Sequence, residues 1–123
     1  MMVTKAQVVI LIITHKPQLT TFEQISIQQC VRVLGDYRKV FICPKGMDTN
    51  YYTTHFPDIA IHSIPAYWQS NYKRFNRLKI NPLLYKTFQQ YNYILFYEPD
   101  AFVFKDELLE WCNKGFSYVG ALG

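Results

Sequence analysis

The sequence predicts an α/β fold: a three-layer sandwich with a mostly parallel sheet, carried by one domain over residues 1–123. Three observations predict it. Val8-Val9-Ile10-Leu11-Ile12-Ile13 is a short apolar run rich in branched residues, the pattern of a strand buried on both faces. A capped amphipathic segment and a second apolar run, Lys39-Val40-Phe41-Ile42-Cys43, follow it and complete a strand–helix–strand unit. Tyr93-Ile94-Leu95-Phe96-Tyr97 then repeats the buried-strand pattern and stops on Glu98-Pro99-Asp100. Pro99 has no N–H for a central ladder, so the strand ends before it.

Taken in order, the first strand runs into a polar loop, Thr14-His15-Lys16-Pro17. Thr20 followed by Glu23 three residues on is a capping-box pattern and opens a helix. In that helix Ile27, Cys30, Val31 and Leu34 repeat as one apolar stripe, and Gly35 ends it. Pro44-Lys45-Gly46 stops the second strand, and residues 47–57 carry a helical turn before Pro57. Ile59-Ala60-Ile61-His62-Ser63-Ile64 alternates as a third strand, and 66–71 is a loop. In a helical region beyond it, Tyr72, Phe75, Leu78 and Lys79 share one face while Lys73, Arg74 and Arg77 share another. Pro82 begins a further helix with Leu83, Leu84 and Phe88 apolar. Residues 106–112 form a short helix with acid in its first turn, and Phe116-Ser117-Tyr118-Val119-Gly120 begins another strand. The four principal strands are expected over 8–13, 40–43, 59–64 and 93–97.

Half of the residues are hydrophobic and 17% are aromatic, which argues for a folded globule over disorder. A formal charge of +4 is mild. No Lys/Arg run exceeds two residues, so nucleic acid is not indicated. Cys30, Cys43 and Cys112 are odd in number and widely spaced, which points to neither a disulfide framework nor a zinc site. All three sit in apolar contexts, as core thiols of a cytoplasmic, reducing environment do. The Val8–Ile13 run is short for a signal sequence, lacks a small-residue cleavage site and is far too short to span a bilayer. No Ser–His–Asp or Cys–His constellation and no Gly-rich phosphate loop is present.

The chemistry concentrates at Glu98 and Asp100. Two apart in extended chain, they aim at one spot beyond the carboxyl end of a buried strand, where open α/β sheets place ligands. Two hard oxygen donors there suit Mg²⁺ or Mn²⁺; a solvated turn is the ordinary alternative. Arg74 and Arg77 belong either to a solvated helix face or to a bidentate phosphate contact. His15 is either a plain loop histidine or a nucleotide contact. His55 and His62 read as structural, and Tyr67, Trp68, Tyr72 and Phe75 as core or as a stacking surface.

With this order of elements, the chain resembles the N-terminal, nucleotide-sugar-binding half of GT-A glycosyltransferases. It is most similar to a glycosyltransferase-like domain family of unassigned specificity. The likeness rests on the stretch from Tyr93 through Phe104, on Asp106-Glu107-Leu108, on Glu110-Trp111-Cys112 and on Tyr118-Val119-Gly120-Ala121, with weaker support from Pro44-Lys45-Gly46 and Phe75-Asn76-Arg77-Leu78. It implies a GT-A, Rossmann-like sheet and a nucleotide-sugar donor. Glu98 and Asp100 would hold Mn²⁺ or Mg²⁺ against the donor's diphosphate. Thr14, His15 and Lys16 lie where base and ribose are held, Lys45 lies at the same edge, and Arg77 is placed to meet phosphate. The acceptor, glycan or lipid-linked, would belong to a second half that is absent here, so no catalytic base is named. The chain is then expected to be incomplete at its C-terminal end and prone to self-association through Phe116, Tyr118 and Val119. The alternative is a non-catalytic nucleotide- or protein-binding α/β module; an RNA-binding domain ranks last.

Overall fold

The computed structural model of the chain describes residues 4–69, Arg77, 82–99 and 118–119. Five strands form one sheet: β1 (Val8–Ile13), β2 (Arg38–Pro44), β3 (Ala60–Ile64), β4 (Tyr93–Tyr97) and β5 (Tyr118–Val119). Their order is β3-β2-β1-β4-β5, and every neighbouring pair is parallel. Helices α1 (Thr21–Val33), α2 (Asn50–His55) and α3 (Pro82–Thr87) accompany them.

β1 is central, and all six of its residues are buried. Val8, Ile10 and Ile12 pack on one face with Ile27, Cys30 and Tyr52. Val9, Leu11 and Ile13 pack on the other with Leu84 and Phe88. α1 and α2 thus cover one face and α3 the other, which makes three layers around a parallel sheet. A strand covered on both sides has no solvent face to mark with polar residues, which is why β1 reads as an unbroken apolar run.

β1 and β4 keep their expected bounds. β2 runs from Arg38 to Pro44, longer than 40–43 at both ends, and β3 starts at Ala60. Pro44 belongs to the strand because only one of its two sides needs a donor. The Thr14 N–H reaches the Ile42 carbonyl at 3.0 Å and the Lys45 N–H reaches Ile64 at 2.8 Å. The missing N–H of Pro44 therefore falls on the β1 side, where the β1–β2 ladder stops, while the β2–β3 ladder continues. The chain then turns through Pro44–Met47, closed by the Met47 N–H on the Pro44 carbonyl at 3.2 Å. Gly46, at φ 88°, supplies the left-handed third position of that turn.

α1 opens with the expected capping box. The Glu23 N–H donates to Thr20 Oγ1 at 3.2 Å, and the Thr20 N–H donates to the Glu23 carboxylate at 2.9 Å. The buried stripe is Ser26, Ile27, Cys30 and Leu34. Val31, expected in the stripe, is 38% exposed: the face centres between Cys30 and Leu34, so Val31 falls at its margin and Ser26 moves in. Gly35 follows the helix for want of space, not for a left-handed φ, since a Cβ there would sit 3.0 Å from the Val31 carbonyl. Residues 66–69 form a 3₁₀ turn where a loop is expected.

Cys30 and Cys43 are free and buried. Burial pushes the Cys30 thiol up to about 12, against the pull of Lys39, and the Cys43 thiol up to about 11. Both therefore behave as small hydrophobes. Among the described residues no helix is long and apolar enough to cross a membrane. The expected helical region with Tyr72, Lys73, Arg74 and Phe75, the helix at 106–112 with Cys112, and the side chains of Phe116, Tyr118 and Val119 lie outside the described residues.

Candidate functional site

The sheet order places the reversal of winding between β1 and β4. From β1 the chain crosses by α1 to β2 on one side. β4 sits on the other side of β1, preceded by α3 on the opposite face. Connections that leave adjacent strand ends in opposite directions open a crevice at their carboxyl edge. The β1–β4 register runs to Ile12 opposite Tyr97. One residue further come Ile13 and Glu98, and then the Thr14-His15-Lys16 loop. The Thr14–Lys16 loop and Glu98 are thus neighbours at the carboxyl edge of the sheet.

Buried hydroxyls hold both sides of this crevice. Tyr52, from α2, is fully buried and donates its hydroxyl hydrogen to the Lys16 carbonyl at 2.6 Å. A phenol has one hydrogen, so the 2.7 Å contact between Thr14 Oγ1 and Tyr52 Oη has Thr14 as donor. Burial, foremost, pushes the Tyr52 hydroxyl up to about 12, so it stays a donor across ordinary pH. Lys16 Nζ pairs with both Glu23 oxygens at 3.1 Å. Burial alone would raise the Glu23 carboxyl; the Thr20 N–H and the Lys16 ammonium outweigh it and hold it below its ordinary value. On the β4 side Tyr97 Oη lies 3.1 Å from Ser26 Oγ and 3.3 Å from the Ser26 carbonyl, which ties the last residue before Glu98 to α1. Tyr52→Phe keeps the ring and strands the Thr14 hydroxyl and the Lys16 carbonyl. A loss of about 1–3 kcal/mol is expected, together with faster amide exchange in the 14–16 loop. Urea unfolding and hydrogen exchange measure both, and an unchanged midpoint with unchanged exchange would refute the latch.

The predicted residues differ in placement. Thr14 is 2% exposed, and its hydroxyl points to Tyr52, so it shapes the loop from within. His15 is exposed above it, and Glu98 is half-buried at the strand end. Lys45 is exposed in the turn after β2, two strand spacings from β4, about 10 Å. Arg77 is helical and exposed. Asp100, with Lys73 and Arg74, lies outside the described residues. Among the described residues no three His, Cys, Asp or Glu side chains gather as a metal cluster. His62 packs edge-on to Phe88 at 5.7 Å and His55 against Tyr51 at 4.3 Å.

Tyr52, Ser26 and Tyr97 carry no sequence signal as partners in this edge, and neither does Lys39 as a buried cation. Lys39 is buried at 7% exposure and donates to the Tyr37 carbonyl at 2.9 Å. Burial, opposed by Cys30 and Asp36, holds its ammonium below the ordinary value.

No curated protein matches the chain. Residues 58–122 match the family model described as "Protein of unknown function (DUF5672)". The match begins just before β3 and takes in α3, β4 with Glu98 and Asp100, and β5. It leaves out the Thr14–Lys16 loop and Lys45. Since it covers more than half of the sequence, the chain belongs to the DUF5672 family.

Proposed function

We propose that this chain binds a nucleotide-sugar across the carboxyl edge of its sheet, as the nucleotide half of a GT-A-like glycosyltransferase. The observation that carries this reading is the winding reversal between β1 and β4, which brings the Thr14–Lys16 loop and Glu98 to one crevice. A carboxylate at a strand end is a hard oxygen donor, which fits Mn²⁺ or Mg²⁺. Glu98, with Asp100 two residues on, would hold the ion. Bound there, it would supply Lewis-acid stabilisation of a departing diphosphate. His15, exposed on the loop, would meet base or ribose. Lys45 would carry positive charge to the phosphates, and Arg77 would act as a second cation. Thr14 fixes the loop through Tyr52 instead of touching the ligand. No residue of this chain is assigned as base, and the acceptor would be glycan or lipid-linked. Buried, free Cys30 and Cys43 support a cytoplasmic setting.

The expected result is saturable UDP or GDP binding by calorimetry that needs Mn²⁺ or Mg²⁺, with His15→Ala and Lys45→Ala each weakening it. Equal binding with and without metal would overturn the metal assignment, and no binding of either nucleotide would overturn the whole reading. Release of nucleoside diphosphate from a nucleotide-sugar separates an enzyme from the non-catalytic binding module.

A further inference from the structure

A cavity of about 190 Å³ opens on the α3 face of the sheet, between the ends of β2 and β3 and the helix α3. It lies beside the nucleotide site proposed above and shares Lys45 with it. Ile64, Leu83 and Leu84 give it an apolar wall. Leu83 is 71% exposed, so it forms the rim and Leu84 the floor. Its polar lining residues are Lys45, His62, Ser63, Trp68 and Thr87, all able to donate and only Lys45 permanently charged. No carboxylate lines it among the described residues, and none of them pairs with Lys45.

Size and charge define the occupant. Cofactor and drug pockets run from roughly 300 to 1,000 Å³, whereas an apolar cavity of about 150 Å³ takes one benzene ring. At this volume the cavity is nearer the size of a single ring than that of a nucleotide. An unpaired cation at the mouth of an apolar hollow is matched by an anion on an apolar body, because the charge-assisted bond forms while the ring leaves water. We propose that this cavity is a binding site for a small carboxylate with a single-ring body. The proposal shares Lys45 with the nucleotide reading but does not rest on it: it uses no metal, no nucleotide and neither Glu98 nor Asp100.

The test is an amide NMR titration of the full chain with benzoate, and with benzyl alcohol as uncharged comparator, in metal-free buffer. Benzoate is expected to shift the Trp68 indole and the Leu83, Leu84 and Thr87 amides saturably, with a Kd on the order of 1 mM. Lys45→Met is expected to weaken benzoate roughly tenfold or more and to leave benzyl alcohol unchanged. Leu83→Glu, at an exposed rim position that leaves folding intact, places a like charge at the mouth and is expected to weaken benzoate similarly. Asp100→Asn should leave the titration as it is. Shifts elsewhere, no saturation well above that concentration, or equal benzoate affinity in wild type and Lys45→Met would each overturn the proposal.

Discussion

Asp100→Asn is expected to remove half or more of the Mn²⁺-dependent stabilisation by UDP while leaving the apo melting temperature unchanged. The substitution keeps the size of the side chain and one neutral oxygen, but it removes the charge that a hard divalent ion requires. A ligand present at a hundredfold excess over its Kd stabilises a protein by about 2.7 kcal/mol, and one bound tenfold more weakly by about 1.4 kcal/mol. The expected loss is therefore half of the metal-dependent shift or more. Glu98→Gln should act in the same direction but more weakly, since its longer arm is able to reach a metal through water. Thermal melts of wild type and variant, each with and without Mn²⁺ plus UDP, decide the matter. If Asp100 is instead a turn cap, the apo melt falls by the cost of a lost cap, about 1 kcal/mol, and the Mn²⁺ effect survives. Equal metal-dependent shifts in both proteins would end the metal assignment.

The largest effect on stability is expected from Phe41→Ala. Phe41 is fully buried in β2 and meets the Tyr52 ring edge-on at 4.8 Å and the Phe56 ring at 5.7 Å. It is one of the contacts that seat the short helix α2 on the sheet. Truncation removes the ring's burial and leaves a cavity beneath Tyr52, about 3–5 kcal/mol, in a protein of a size whose whole stability is about 5–15 kcal/mol. A fall on the order of 15 °C in the melt is expected, with a matching fall in the urea midpoint. Because Tyr52 is also the latch of the β1–α1 loop, hydrogen exchange in residues 14–16 should rise by more than in Tyr52→Phe. A melt within two or three degrees of wild type would mean that α2 does not depend on this seat.

The two strands that carry the site are the most legible parts of the sequence, and the reason is burial. β1 and β4 are covered on both faces, so they appear as unbroken apolar runs whose ends are marked by polar residues or proline. The capping box of α1 is equally plain, because both of its bonds are local. Val31 is misread because a stripe written from spacing alone does not say where the face is centred. Glu98 is legible from its place at a strand end. What positions the opposite wall is not: Tyr52 lies 38 residues from Thr14, in a segment that shows only as polar and aromatic. Lys39 is unreadable for a related reason. Its place in an apolar run says nothing about whether its ammonium finds an acceptor, and here a backbone carbonyl two residues back provides one. Strand order, too, is a property of crossovers, and the pattern of runs does not carry it.

Pro44 gives the floor of the crevice an uneven relief. Its missing N–H ends the β1–β2 ladder at Thr14, while β2 and β3 remain bonded one step further, through Lys45. The carboxyl edge is therefore a ledge with a riser: a low tread at β1, where the Thr14 carbonyl receives nothing from Pro44, and a raised tread topped by the cationic turn. From β1 toward β2 the edge thus passes from a buried backbone step to a raised and exposed positive charge. For the nucleotide-sugar proposed above, that step would put the anionic oxygens on the β2 side, beside Lys45.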